Sequence, residues 1–114
     1  MAKHVPAPLL ASEHELEQLV SLFEMLSVKT RLQILIMLAQ GERNVMSLCD
    51  ELNLPQSTVS HHLGFLRNSN VVGCRALGKQ RIYGLAGRGS SGKGHVLELP
   101  VHNFVVRILP KPKG

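Results

Sequence analysis

The chain has 114 residues, 44% of them hydrophobic and 18% charged, which is enough to build the core of one small domain. No apolar run approaches the roughly 20 residues that cross a bilayer, and residues 1–10 lack the apolar stretch of a secretory signal. Two cysteines are too few for a disulfide scaffold, so we expect a cytoplasmic protein without membrane association. The shortage of aromatic residues argues against a stacking platform for single-stranded nucleic acid.

The net charge of +5 is unevenly distributed along the chain. Residues 1–66 hold four Lys/Arg and seven Asp/Glu, a net −3, whereas residues 67–114 hold nine Lys/Arg and one acid, a net +8. A basic half beside an acidic half indicates a polyanion-binding face, with nucleic acid as the first candidate. A solvated basic surface without a partner is the alternative on charge alone.

Two helices are predicted after a flexible segment at residues 1–11. The first, Glu13–Leu26, opens with a capping box between Ser12 and Glu15. The second covers residues 28–40, with Ser27 as its predicted N-cap, and is apolar nearly all round. A helix of that composition is buried, so it should be the central helix of the fold.

Two further helices are separated by a break at residues 53–55. The third, Val45–Leu52, carries an apolar stripe at helical spacing, and the fourth begins at Pro55 and ends near Asn68. Two helices joined by about three residues predict a helix-turn-helix. The outer face of its second helix offers hydroxyl, amide and imidazole groups that suit hydrogen bonds to base edges and phosphates of double-stranded DNA. The predicted contacts from this recognition helix are Gln56, Ser57, Thr58, Ser60 and His61.

A β-hairpin is predicted next, because the apolar period changes to two. Alternating apolar residues lead to the turn at Gly78, and Gln80–Leu85 returns with Ile82 as the clearest inward-facing residue. A basic hairpin after a helix-turn-helix makes a winged helix. We therefore expect residues 12–86 to form a winged helix-turn-helix domain that is mainly α with a small β wing. The predicted phosphate contacts near or on the wing are Arg67, Arg75, Lys79 and Arg81.

Residues 23–85 resemble the ArsR/SmtB family of bacterial repressors. The matching pieces are SVKTRLQIL at residues 27–35, LPQSTVSHHL at 54–63, and the hairpin end at 81–83. The resemblance implies a homodimer that binds an inverted-repeat operator and releases it when a signal arrives. The nature of that signal is not encoded in the residues that carry the resemblance.

Three departures from the family pattern stand out. Residues 43–48 contain no thiol or carboxylate where metal-sensing members often carry a cysteine-rich motif, and Cys49 is interpreted as a small buried hydrophobe. Gly64 occupies a position that is commonly basic or long in the family. Residues 87–94 predict a Gly/Ser linker, and residues 95–114 predict a β-rich tail of two short strands instead of a dimerising helix. Dimer contacts are then expected mainly on the first helix, with this tail as a second contributor.

The histidines do not form a convincing metal site, and we predict neither metal nor cofactor. His95 and Glu98 point to opposite faces of a strand, which also weakens a site completed by His102. The neighbouring imidazoles of His61 and His62 diverge on their helix; His61 is interpreted as a DNA contact and His62 as a partly buried neighbour of the core.

Two other functions are alternatives to the DNA-binding regulator. One alternative is a thiol-redox-responsive repressor that uses Cys49 and Cys74, and another is a winged helix that binds a partner protein. No nucleophile accompanies a base and no glycine loop cradles a phosphate, so the chain is not expected to be an enzyme.

Overall fold

Four helices and two antiparallel sheets make up the computed structural model, which describes residues 12–87, 89–92, 94 and 96–112. The segment predicted at residues 1–11 lies outside them. This arrangement confirms the mainly α winged helix-turn-helix with a β-rich C-terminal part. The elements in chain order are α1 (Glu13–Leu26), α2 (Lys29–Gln40), β1 (Arg43–Asn44), α3 (Val45–Leu52), α4 (Gln56–Asn68), β2 (Val72–Leu77), β3 (Gln80–Leu85), β4 (Ser90–Gly92), β5 (Val96–Val101) and β6 (Phe104–Ile108).

The helix termini follow the local chemistry of the chain. The capping box of α1 forms as predicted, with the Glu15 N–H donating to Ser12 Oγ at 3.1 Å. The prediction that Ser27 caps α2 is wrong: its hydroxyl donates to the Glu24 carbonyl at 2.7 Å and so closes α1. Because only two residues separate the helices, Val28 is left as the N-cap of α2 and makes no side-chain hydrogen bond. Pro55 likewise stands just before α4, at its N-cap.

The hydrophobic core is organised around α2, as its all-round apolar composition predicts. This helix contacts α1, α4 and strands of both sheets, and Ile34 and Leu35 are fully buried. The inner residues of α3 and α4 belong to the same core. Fully buried side chains from those two helices are Leu48, Val59, Leu63 and Leu66.

The wing sheet, defined here as β1, β3 and β2 in that order, is antiparallel throughout. Cys74 pairs with Tyr83 and Arg75 with Ile82, so each pair shares one face of the sheet. The prediction that Ile82 faces inward is wrong, because Tyr83 is 9% exposed and Ile82 is half-buried on the other face. The register explains this result: once Val72 and Cys74 lie on the inner face, their partners on β3 must be the odd-numbered residues.

The back sheet, defined as β4, β5 and β6, packs one face against α1 and α2. Leu97, Leu99 and Val101 supply that buried face. Strand β4 lies within the segment predicted as a Gly/Ser linker, and Ser91 Oγ donates to the Ala39 carbonyl of α2 at 2.7 Å. A glycine- and serine-rich composition does not exclude a strand when its pairing and a hydrogen bond to the neighbouring helix hold it.

Candidate nucleic-acid interface

Helix α4 presents a largely polar face to solvent because most of its apolar residues point to the core, with Phe65 as the exposed exception. Val59, Leu63 and Leu66 occupy the inner side. Of the predicted base-contacting residues, Thr58 is half-buried and the others are exposed, namely Gln56, Ser57, Ser60 and His61.

A cleft of about 450 Å³ lies between the start of α4 and the wing. It brings Gln56 and Ser60 of α4 together with Lys79 and Arg81 of the wing. Among the described residues, the remaining predicted contacts do not line this cleft: Ser57 and His61 are exposed elsewhere on α4, and Arg67 is exposed near its C-terminus.

The cations of the wing lie on different faces of its sheet. Arg81 pairs with Ala76 across the strands and donates to Cys74 Sγ at 3.6 Å, a hydrogen bond that raises the pKa of its guanidinium. Arg75 lies on the opposite face, where it forms an ion pair of 2.9 Å with Glu42. In the described part of the chain neither Lys79 nor Arg81 has a carboxylate partner, so both charges are available at the cleft.

The flank of α4 away from the wing contacts α2 through a side-chain interaction. The Arg31 guanidinium carbon lies 3.6 Å from the centroid of the Phe65 ring, a cation–π contact between the two helices. Partial burial lowers the pKa of His62, and the nearby charges of Arg31 and His61 lower it further. His62 is therefore the partly buried neighbour of the core that the sequence predicts.

The cleft also contains residues that the sequence analysis missed. Asn44 and Met46 from the start of α3 and Gln80 from the wing line it, and Tyr83 borders it from the buried side. Met46 does carry a sequence signal, because it lies out of phase with the apolar stripe of α3 and so could not point to the core.

Helix α1 exposes a second notable surface, the α1 stripe, defined as Leu16, Val20 and Phe23. These side chains recur at i, i+4 and i+7 and are 46%, 54% and 54% exposed, respectively. Apolar side chains at that spacing form one continuous strip on a helix. Exposed apolar strips of this kind mark interaction surfaces.

The described cysteines and histidines were the candidates for a metal site. Cys49 is buried on α3, as expected for a small hydrophobe, Cys74 is half-buried on the wing, and both are free thiols. Within the described ranges, no three His, Cys, Asp or Glu side chains are grouped so that they could hold a metal ion. His95 lies outside those ranges. None of the described helices is long and apolar enough to cross a membrane.

A recognition helix with a polar outer face beside a cationic β wing defines a winged helix-turn-helix regulator that binds DNA. Residues 29–73 match the model of the family described as "Bacterial regulatory protein, arsR family". The chain is 38% identical to the biofilm growth-associated repressor of Agrobacterium fabrum, over 69% of its own length and 68% of the relative. It is 34% identical to the transcriptional activator HlyU of Vibrio cholerae, over 74% and 78% of the two chains. This chain belongs to the arsR family.

Solved structures agree with that assignment. The HlyU regulator of Vibrio vulnificus superposes with a TM-score of 0.62 at 36% identity, covering 66% of this chain and 78% of that one. The winged helix-turn-helix DNA-binding domain of a possible ArsR-family regulator from Mycobacterium bovis, described as homodimeric, superposes with a TM-score of 0.58 at 32% identity, covering 68% and 74%. The two curated relatives are described as a repressor and a transcriptional activator.

Proposed function

We propose that this protein is a cytoplasmic repressor that binds an inverted-repeat operator as a homodimer. The observation that carries the proposal is the cleft that joins Gln56 and Ser60 of α4 to Lys79 and Arg81 of the wing. One wall carries amide and hydroxyl groups, and the other carries cations that have no carboxylate partner in the described part of the chain. These groups match the two needs of operator binding, which are base contacts and phosphate contacts.

The predicted contacts divide into base contacts and phosphate contacts, and half-buried Thr58 is the least favoured of the base contacts. The exposed polar residues of α4 contact base edges in the major groove, and Gln56 is the candidate for a bidentate contact to adenine. Lys79 and Arg81 contact phosphates, with Arg67 in support. Arg75 remains a predicted phosphate contact, but its position on the far face and its pairing with Glu42 favour it least.

The homodimer is proposed to form through the α1 stripe. Three large apolar side chains on one flank of α1 are about half exposed, which a second copy of the same stripe would bury. The relative from Mycobacterium bovis, described as homodimeric, supports a homodimer, and the exposure of the α1 stripe supports this interface. Two-fold symmetry would place the half-sites about 34 Å apart, or a multiple of that.

The direction of regulation is also a proposal, because relatives of this chain include both a repressor and an activator. We propose repression because the family resemblance of the helix-turn-helix is to repressors. The described chain consists of the winged helix and one small sheet, and a protein that occupies an operator needs no further surface to block transcription.

Selection of bound sequences from a random duplex pool tests the proposal. We expect a palindromic consensus bound by a dimer, and loss of sequence preference at one position per half-site for Gln56→Ala, a discrimination of ~1–3 kcal/mol. Phe23→Glu, which places a charge on the α1 stripe, should yield a monomer by light scattering. Failure to enrich any sequence, with binding that does not depend on salt, would instead favour a winged helix that binds a partner protein.

A further inference from the structure

Met46 is an apolar side chain in a polar cleft. It occupies the first turn of α3, is 55% exposed, and lines the cleft together with Gln56 and Ser60. Neighbouring residues of α3 already fill the core, since Leu48 is fully buried and Cys49 is 8% exposed. The packing of the protomer therefore does not account for a methionine at this position.

The only methyl group that a base pair presents in the major groove is the C5-methyl of thymine. The methionine side chain is unbranched and polarizable, so it adapts to a small apolar partner. The other apolar residues of the cleft are less accessible, because Val45 is half-buried and Tyr83 is 9% exposed. Met46 is thus the most exposed apolar side chain among the residues that line the cleft.

We propose that Met46 contacts the C5-methyl group of a thymine next to the base recognised by Gln56. The inference rests on the proposed operator binding, because Met46 lies beside Gln56 in the same cleft. It adds a specificity-determining contact from α3, the first helix of the helix-turn-helix, to those of the recognition helix. The operator should then contain thymine where α3 approaches the groove.

Replacement of thymine by deoxyuridine tests this contact directly, since it removes the C5-methyl and leaves every hydrogen-bonding group in place. In the operator obtained by selection, each thymine of one half-site is replaced in turn. Wild-type protein should lose about fourfold in affinity at one particular thymine, the effect of exposing one buried methyl group. Met46→Ala should bind the unmodified operator about fourfold more weakly and become insensitive to deoxyuridine at that thymine.

Three further variants control for indirect effects. Met46→Leu keeps an apolar side chain and should retain the deoxyuridine sensitivity, whereas Met46→Gln keeps the length and should lose it. Val105→Ala removes a side chain of similar exposure, 49%, from the back sheet and should bind like the wild type. Thermal unfolding verifies that each variant is folded; alanine is a better helix former than methionine, so Met46→Ala should fold.

The outcomes separate the two proposals. If wild-type protein and Met46→Ala respond identically to every deoxyuridine substitution while both bind the operator specifically, the methyl contact is wrong and operator binding stands. If no sequence is bound specifically at all, both are wrong.

Discussion

The wing sheet and the back sheet have the same architecture but contribute differently to the core. Each has three antiparallel strands. In the strands of the wing sheet, all of which the structure describes, Val72 and Tyr83 are the only residues less than a tenth exposed. In the back sheet, every second residue of β5 from Leu97 to Val101 is buried against the helices.

This difference shows that side-chain alternation, more than strand pairing, decides what a small sheet does. An apolar residue at every second position fixes a strand to the core, as in β5. The hairpin of the wing loses that alternation beyond Cys74. Its tip is exposed to solvent and carries Lys79 and Arg81, which have no carboxylate partner among the described residues. We therefore expect mutations in the back sheet to change stability and mutations in the wing to change DNA binding.

Leu99→Ala should have the largest effect on stability. Leu99 is 1% exposed between the back sheet and the helices, so its truncation leaves a cavity and should lower the free energy of unfolding by about 2–5 kcal/mol. Urea denaturation measures this loss. The matched control is Leu77→Ala at the tip of the wing, where the side chain is 56% exposed and the change should stay within ~0.5 kcal/mol. Equal effects of the two substitutions would remove the distinction between the sheets.

The double substitution of Lys79 and Arg81 by alanine should have the largest effect on DNA binding. Each lost phosphate contact reduces the slope of log affinity against log salt by ~0.9, so the slope should fall by about two at most. The control is Arg107→Ala on the back sheet, whose guanidinium pairs with Glu98 at 2.6 Å. An unchanged slope in the double variant would mean that the wing does not touch DNA.

The sequence predicted the helices and the wing because their signals are local. The capping box at Ser12, the stripe of α3 and the turn at Gly78 each depend on a few neighbouring residues, and the helix bounds follow from them. The helix-turn-helix motif in turn located the candidate recognition residues on the outer side of α4. The family assignment followed from the same residues, and the comparisons confirm it.

What the sequence could not supply depends on contacts between distant segments. Strand β1 is two residues long and forms only because Tyr83 lies opposite Arg43. The pairing of Arg75 with Glu42 joins residues 33 positions apart, and it separates Arg75 from the other wing cations. Similarly, Met46 enters the cleft only through the packing of α3 against α4.

Gly64→Ala should increase the stability of the protein, because Gly64 lies inside α4. A Cβ at this position meets no atom within 4 Å, and glycine inside a helix costs ~1 kcal/mol relative to alanine. The substitution should therefore raise the free energy of unfolding by about 0.5–1 kcal/mol, measured by denaturation. Gly78→Ala on the wing should have the opposite sign, because Gly78 adopts a φ of +61°. Destabilisation by Gly64→Ala would show that this site needs glycine for the helix itself.

Arg75→Ala should have the smallest effect on DNA binding. It tests whether both faces of the wing sheet contact DNA. The hydrogen bond and charge of Arg75 hold the pKa of Glu42 below its ordinary value of 4.5. Because the folded-state pKa is lowered, the pair is intact above pH 4.5 and is lost only as the pH falls through that lowered pKa. At every pH used for binding assays, a DNA phosphate would therefore have to displace Glu42 from Arg75. We therefore expect Arg75→Ala to reduce the salt slope by well under the ~0.9 of one phosphate contact, equally at pH 5.5 and pH 7.5. A full reduction of ~0.9 would show instead that Arg75 exchanges its carboxylate for the DNA backbone, and that both faces of the wing bind.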